Sequence, residues 1–323
     1  MHHSHIHAAN VAACTHAGGM NRLIPLLMLA GCSSLPSPAP HAFVTPPRPT
    51  TDLTVCWIDT GGLSAPGSYG SGGTPTAEKW EVTSAALLVR HPGGDVLIDT
   101  GVSPSASEDA RDLSAWKRFV FDNTAGRNVA RESLVETLAT LGVTKLKAVI
   151  LSHAHPDHAG GLTALPEVPV WLAAEEKAFV DSGNQAVVPA HVKALTGRME
   201  PLVFEPVPYA NYDARADVFG DGSLVVVPAF GHTPGSVVTF VNTPTLRVAH
   251  VGDLINLGES LNRKVQKSFL MRTLTDEDEA ANDAQDAKLI QLHEADPEVV
   301  ILPAHDRPRW AATLPKCTAP GKF

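Results

Sequence analysis

Cysteine is scarce in this chain, with four among 323 residues. A Cys-rich structural metal module is therefore excluded. Cys56 and Cys317 lie near the two ends of the expected domain, and neither stands beside a histidine cluster. A bridge between them and two separate buried thiols both fit, since spacing does not decide pairing. No apolar run approaches the roughly 20 residues that a membrane-spanning helix needs. Clustered Lys and Arg are missing too, and the formal net charge is −9. That balance argues against nucleic acid as a partner, because phosphate binding needs grouped cations. No internal repeat stands out. What is present, 44% hydrophobic and 18% charged residues, describes a soluble globular chain long enough to bury a large core.

The first 31 residues read as a signal or lead segment. Arg22, the short apolar run Leu23–Ala30 and the small residues before Cys32 have the layout of a secretory signal. Leu29-Ala30-Gly31-Cys32 resembles a bacterial lipobox, which implies lipidation of Cys32. The resemblance implies a lipoprotein of the cell envelope, anchored in the outer membrane and facing the periplasm. Residues 32–51 are rich in Pro and Ser and read as a semi-extended tether. The folded domain is expected over 52–323.

Strands and helices alternate through that domain. Thr83–Arg90 and Asp95–Ile98 flank His91-Pro92-Gly93-Gly94, a turn signal, and predict a hairpin. Ala130, Leu134, Leu138 and Leu141 recur at helical spacing before Gly142. Strands are expected at Leu53–Asp59, Leu146–Leu151, Val168–Leu172, Leu224–Val227, Val237–Val241, Leu246–Val251 and Val299–Leu302. Helices are expected at Ala174–Val180 and Asp276–Ala295, the latter with Thr275 as N-cap. This order predicts an α/β fold: two mixed sheets packed face to face, flanked by helices.

Candidate ligands sit where strands end. His153 follows Leu146–Leu151, His232 follows Leu224–Val227, Asp253 follows Leu246–Val251, and His305 follows Val299–Leu302. Loops at strand ends, held by a rigid sheet, are where sites form. His153 and His155, two apart in an extended segment, point the same way. Asp157 and His158 follow a proline that bends the chain, so one short loop can serve two adjacent metals. Imidazole and carboxylate suit zinc. With no thiolate among them, the set reads as a catalytic site with open positions.

The run His153-Ala154-His155-Pro156-Asp157-His158 has Asp99-Thr100-Gly101 upstream. Gly231-His232-Thr233-Pro234-Gly235, Gly252-Asp253 and Ala304-His305 lie downstream. In this order the motifs resemble those of the metallo-β-lactamase fold superfamily, over nearly the whole domain. The resemblance implies a four-layer αβ/βα sandwich with a site for two divalent metal ions, zinc by donor chemistry. It implies one metal on His153, His155 and His232, another on Asp157, His158 and His305, and Asp253 bridging them. Asp99 would orient a ligand imidazole. Two metals about 3.5–4 Å apart can share a hydroxide and lower the pKa of water towards ~7. Asp157 would orient that hydroxide and pass a proton to the leaving group, making it the expected catalytic residue.

Asp253 narrows the chemistry. Metallo-β-lactamases with two His triads lack this Asp, and the Cys ligand of the others is absent here. Oxygen-reducing diiron relatives carry an acid where His155 stands. Nuclease relatives need an inserted domain and a basic surface. The expectation is a hydrolase of small-molecule esters, lactones or related bonds. β-Lactam or thioester cleavage on the same fold is the nearest alternative, and an inactive lipid-anchored binding protein is the alternative of another class. The pattern is similar to that of quorum-quenching lactonases, which often place a Tyr soon after the Asp. Here Leu254-Ile255-Asn256-Leu257 follows.

Other features read as structural. His250 is expected in the core or behind a ligand, and His191 and His293 at the surface. Trp57, Trp116 and Trp171 read as core. Val102–Asn128 either covers the pocket through Trp116, Phe119 and Phe121 or simply packs down. Glu205–Phe219, with Tyr209 and Tyr212, is expected as a second wall.

Overall fold

The computed structural model describes residues 42–318 apart from 166, 167 and 185. Cys32 and the lead segment lie outside the described residues. The first strands are β1 (Thr54–Gly62), β2 (Ser64–Pro66), β3 (Lys79–Glu81), β4 (Ser84–His91), β5 (Gly94–Ile98), β6 (Val129–Ala130) and β7 (Ala148–Ile150). They are followed by β8 (Val170–Leu172), β9 (Met199–Pro201), β10 (Ala216–Asp217), β11 (Leu224–Pro228), β12 (Val237–Asn242), β13 (Arg247–His250) and β14 (Val299–Leu302). A 7-stranded sheet runs β6-β1-β4-β5-β7-β8-β9, and a 5-stranded sheet runs β10-β11-β12-β13-β14. Both are mixed: β4–β5 is the expected antiparallel hairpin, while β5–β7, β7–β8 and β13–β14 are parallel.

The layer order follows from side-chain alternation along strands. Leu87, Val89, Val96, Ile98 and Ile150 of the first sheet meet Leu224, Val226, Val237, Val241 and Val248 of the second. Their neighbours point outward. Leu88, Leu97 and Val149 pack on Leu134 and Leu138 of helix Leu134–Thr140 and on Val180 and Leu195. Val225, Val227, Val238 and Phe240 pack on Leu289 and Leu292 of helix Glu279–Ala295. Strands buried on both faces must be apolar throughout, which explains the continuous runs in β4 and β11. Each such side chain contributes roughly 1.5–3 kcal/mol of burial. The result is the expected sandwich of two sheets with helices outside.

Several boundaries differ from expectation for local reasons. Ala130 pairs with Gly61 as a strand residue, and the next helix starts at Leu134, where Ser133 accepts the Glu136 N–H. The long helix starts at Glu279, because Asp278 accepts the Ala281 N–H and caps it. Thr275, expected as that cap, ends the preceding helix Phe269–Thr275. Cys56 and Cys317 form a disulfide, with Cα atoms 4.9 Å apart. The C-terminal segment thereby joins β1, and Cys317 N–H donates to Trp57 O. The stretch Phe43–Thr51, expected within the tether, lies on the domain. Val44 N–H donates to Ala210 O, Arg48 pairs with Glu298 at 2.7 Å, and Pro46 and Pro49 are buried.

Candidate metal centre

The predicted ligands leave the C-terminal ends of β7, β11, β13 and β14 on one edge of the sandwich. His153, His155 and His232 offer ligand atoms that lie together; so do His153, His158 and Asp253, and Asp157, His158 and His305. His232 Nε2 lies 3.2 Å from His153 Nε2 and 3.0 Å from His155 Nδ1. Asp253 reaches both sides: its Oδ1 is 3.2 Å from His158 Nε2, and its Oδ2 is 3.0 Å from His305 Nε2 and 3.7 Å from His232 Nε2. Asp157 Oδ2 is 3.4 Å from His305 Nε2. Gly252, at φ 53, makes the sharp turn that presents Asp253, and a Cβ there would press on Ser152.

Most of these rings are held by one nitrogen and turn the other to the centre. His158 Nδ1 is 2.8 Å from Asp99 Oδ2, and His305 Nδ1 is 2.7 Å from Thr83 O. His153 Nδ1 faces the Ser152 hydroxyl at 3.0 Å. His232 Nδ1 is 2.7 Å from Asp276 Oδ1. Donating Nδ1–H in this way leaves Nε2 as a bare lone pair, the tautomer a metal ligand requires. Asp99 sits just past β5 at φ 54, a left-handed conformation that Asp tolerates. It also accepts the Ser152 N–H at 2.7 Å and the Ser152 hydroxyl at 2.8 Å.

The charge environment divides the cluster. Burial, together with neighbouring imidazoles, pushes His153 and His155 well below the ordinary range. Burial and the Lys267 ammonium lower His232. Burial would also lower His158 and His305, but the Asp253 carboxylate beside both raises them instead, helped at His158 by Asp99. Burial would raise Asp253; His305 and His158 outweigh it and hold the carboxyl well below its usual value. His158 Nε2 and Asp253 Oδ1 are buried without a well-formed hydrogen bond. Orphaned donor atoms of this kind, grouped as imidazole and carboxylate, fit a divalent cation.

Sequence reasoning missed three supports. Asp276 lies among acids that resemble a helix start, and only the fold turns it towards His232 across 44 residues. Lys267, fully buried, ion-pairs with Asp276 and donates to Asp253 O at 2.8 Å. Glu176 is buried behind the His153 loop. His250 is buried as expected, 3.7 Å from Asp99. His191 is not at the surface: it is buried and faces Asp109 at 3.3 Å. His293 is half-buried.

The segment after Asp99 does reach the site. It forms helix Ala115–Asn123, and Leu113, Lys117 and Phe121 line a small cleft with His155, Asp157, Val188 and Leu274. Trp57 is core, but Trp116 and Phe119 face solvent, 59% and 58% exposed. The Tyr209–Tyr212 region is no wall of this cleft. Both rings are buried against Phe240 on the outer face of the second sheet.

A model of the metallo-beta-lactamase superfamily matches residues 80–305. A protein of Mycobacterium tuberculosis named as a probable metallo-hydrolase is 26% identical, over 68% of this chain and 73% of its own length. The N-acyl homoserine lactonase AttM of Azorhizobium caulinodans is 23% identical, over 60% of this chain and 73% of its own length. Among solved structures, a quorum-quenching N-acyl homoserine lactone lactonase superposes with a TM-score of 0.58 at 18% identity. That match covers 81% of this chain and 95% of the lactonase, a likeness of fold.

Proposed function

The chain belongs to the metallo-beta-lactamase superfamily, and on that premise we propose that it is a two-metal hydrolase, zinc-dependent, that cleaves a lactone or ester of a small molecule. One metal would be held by His153, His155 and His232, the other by Asp157, His158 and His305, with Asp253 between them. The single observation that carries this reading is the position of Asp253, whose Oδ1 faces His158 while its Oδ2 faces both His305 and His232, so that one carboxylate meets both groups. The lactonase relatives support the choice of bond.

When bound, a divalent metal pair supplies a nucleophile at neutral pH and a Lewis acid for the carbonyl. The protein does the rest. Asp99, Thr83 O, Ser152 and Asp276 fix the imidazoles. Asp157, partly open to the cleft, orients the nucleophile and then carries its proton to the leaving alkoxide. Water adds to the acyl carbon and the C–O bond breaks, giving an acid and an alcohol from an ester or a single hydroxy acid from a lactone. Leu113, Phe121, Val188 and Leu274 exclude bulk water from one side of the cleft. The full chain, loaded with Zn²⁺, should hydrolyse members of a panel of lactones and esters. Turnover confined to β-lactams or thioesters, or none at all, would sink the assignment.

The lipobox resemblance supports a second proposal, that Cys32 anchors the domain in the outer membrane on the periplasmic side. Cys32→Ser should then move the protein from the membrane fraction to the soluble one. Equal fractionation of both forms would contradict it.

A further inference from the structure

Behind the first group of histidines lies a carboxylate that the proposed chemistry does not use. Glu176 sits in the first turn of helix Ala174–Asp181 and is fully buried. A glutamate there commonly serves the amides of its own helix start. This one faces inward. Its Oε1 accepts the Ala154 N–H at 2.7 Å. Its Oε2 accepts the Thr233 hydroxyl at 2.6 Å and the Gly235 N–H at 3.1 Å.

The partners define what the carboxylate joins. Ala154 is the residue between His153 and His155, and Thr233 directly follows His232. A single side chain therefore ties the loop carrying two imidazoles to the turn carrying the third. The close approach is built into the sequence: a Cβ on Gly235 would lie 2.1 Å from the Glu176 backbone nitrogen. Only glycine lets this turn reach the helix.

We propose that Glu176 is a positioning residue, whose carboxylate clamps the His153–His155 loop to the His232 turn and so sets the spacing of the three imidazoles. The inference rests on the reading that these histidines hold a metal ion. Glu176 touches none of the ligands themselves, so its effect must pass through backbone geometry. It should therefore act on the first metal site and spare the second.

The test is Zn²⁺ affinity, measured by competition with a chromophoric chelator and needing no turnover. Measuring in a His305→Ala background isolates the first site, and in a His155→Ala background the second. Glu176→Gln keeps one acceptor oxygen but turns an NH₂ towards a backbone N–H. It should weaken the first site by about 10–100-fold, the usual effect of disturbing an outer partner, and leave the second unchanged. Thr233→Val, a milder change that keeps both backbone contacts, should weaken the same site less, and it decides the matter if Glu176→Gln does not fold. Wild-type affinity at the first site in the folded variants, or equal loss at both sites, would overturn the clamp. A wild-type chain that binds no Zn²⁺ would instead overturn the two-metal reading itself.

Discussion

The two groups of candidate ligands meet at Asp253 yet are built differently. His153, His155 and His232 form an all-imidazole set whose burial disfavours charged rings, helped at His153 and His155 by neighbouring imidazoles and at His232 by Lys267. Asp157, His158 and His305 form a mixed set in which carboxylates favour charged rings. Their supports differ as well. The first set depends on side chains that stand outside the sheets, Asp276, Lys267 and Glu176. The second leans on Asp99, directly after β5, and on the Thr83 carbonyl just before β4. One half is thus arranged by side chains of helices and loops, and the other by the ends of central strands.

Four substitutions test that contrast. The largest effect is expected at Asp157, the member of the mixed set that opens to the cleft. Asp157→Asn should cut the initial rate of hydrolysis by about 10²–10⁴-fold at saturating metal. An unchanged rate would remove Asp157 from proton transfer.

A smaller, paired effect concerns the supports. Asp276→Asn should weaken metal binding to the imidazole set by about 10–100-fold, and Asp99→Asn should do the same chiefly to the mixed set. Chelator competition with each variant reads this directly. If both variants weaken both sites alike, the two halves are one mechanical unit and the contrast falls.

The smallest effect is on stability. Burial raises the Glu176 carboxyl to about 7 from its ordinary 4.5, against the opposing pull of its hydrogen bonds to Thr233, Ala154 and Gly235. A carboxyl raised in the folded state contributes stability that is complete below pH 4.5 and is lost as pH rises to about 7. Glu176→Gln has no such loss. The metal-free variant should therefore gain on the wild type by at most about 1.4 kcal/mol per pH unit across that interval. Urea denaturation at several pH values checks it, and a variant that loses ground on the wild type as pH rises would contradict it.

How much of this was legible in the sequence depends on the range of the interaction. The candidate ligands stand in short motifs at the ends of apolar runs, so His153–His158, His232, Asp253 and His305 could be picked out as a group, and the fold brings them together. Continuous apolar runs gave away the doubly buried strands. What stayed hidden works across distance. Asp276 looks like a helix-start acid until Asp278 is seen to take the cap. His191 looks like a surface residue until Asp109, 82 residues earlier, folds against it. The Cys56–Cys317 bridge closes a separation of 261 residues, for which spacing offers no rule. Tyr209 and Tyr212 carry no local mark of which sheet face will bury them.

The most direct test of the central claim is to titrate the metal-free chain with Zn²⁺ while following hydrolysis of its best lactone or ester substrate. The rate should climb to a plateau at two equivalents per chain. Two equivalents bound with no hydrolysis, or full activity at one, would contradict it.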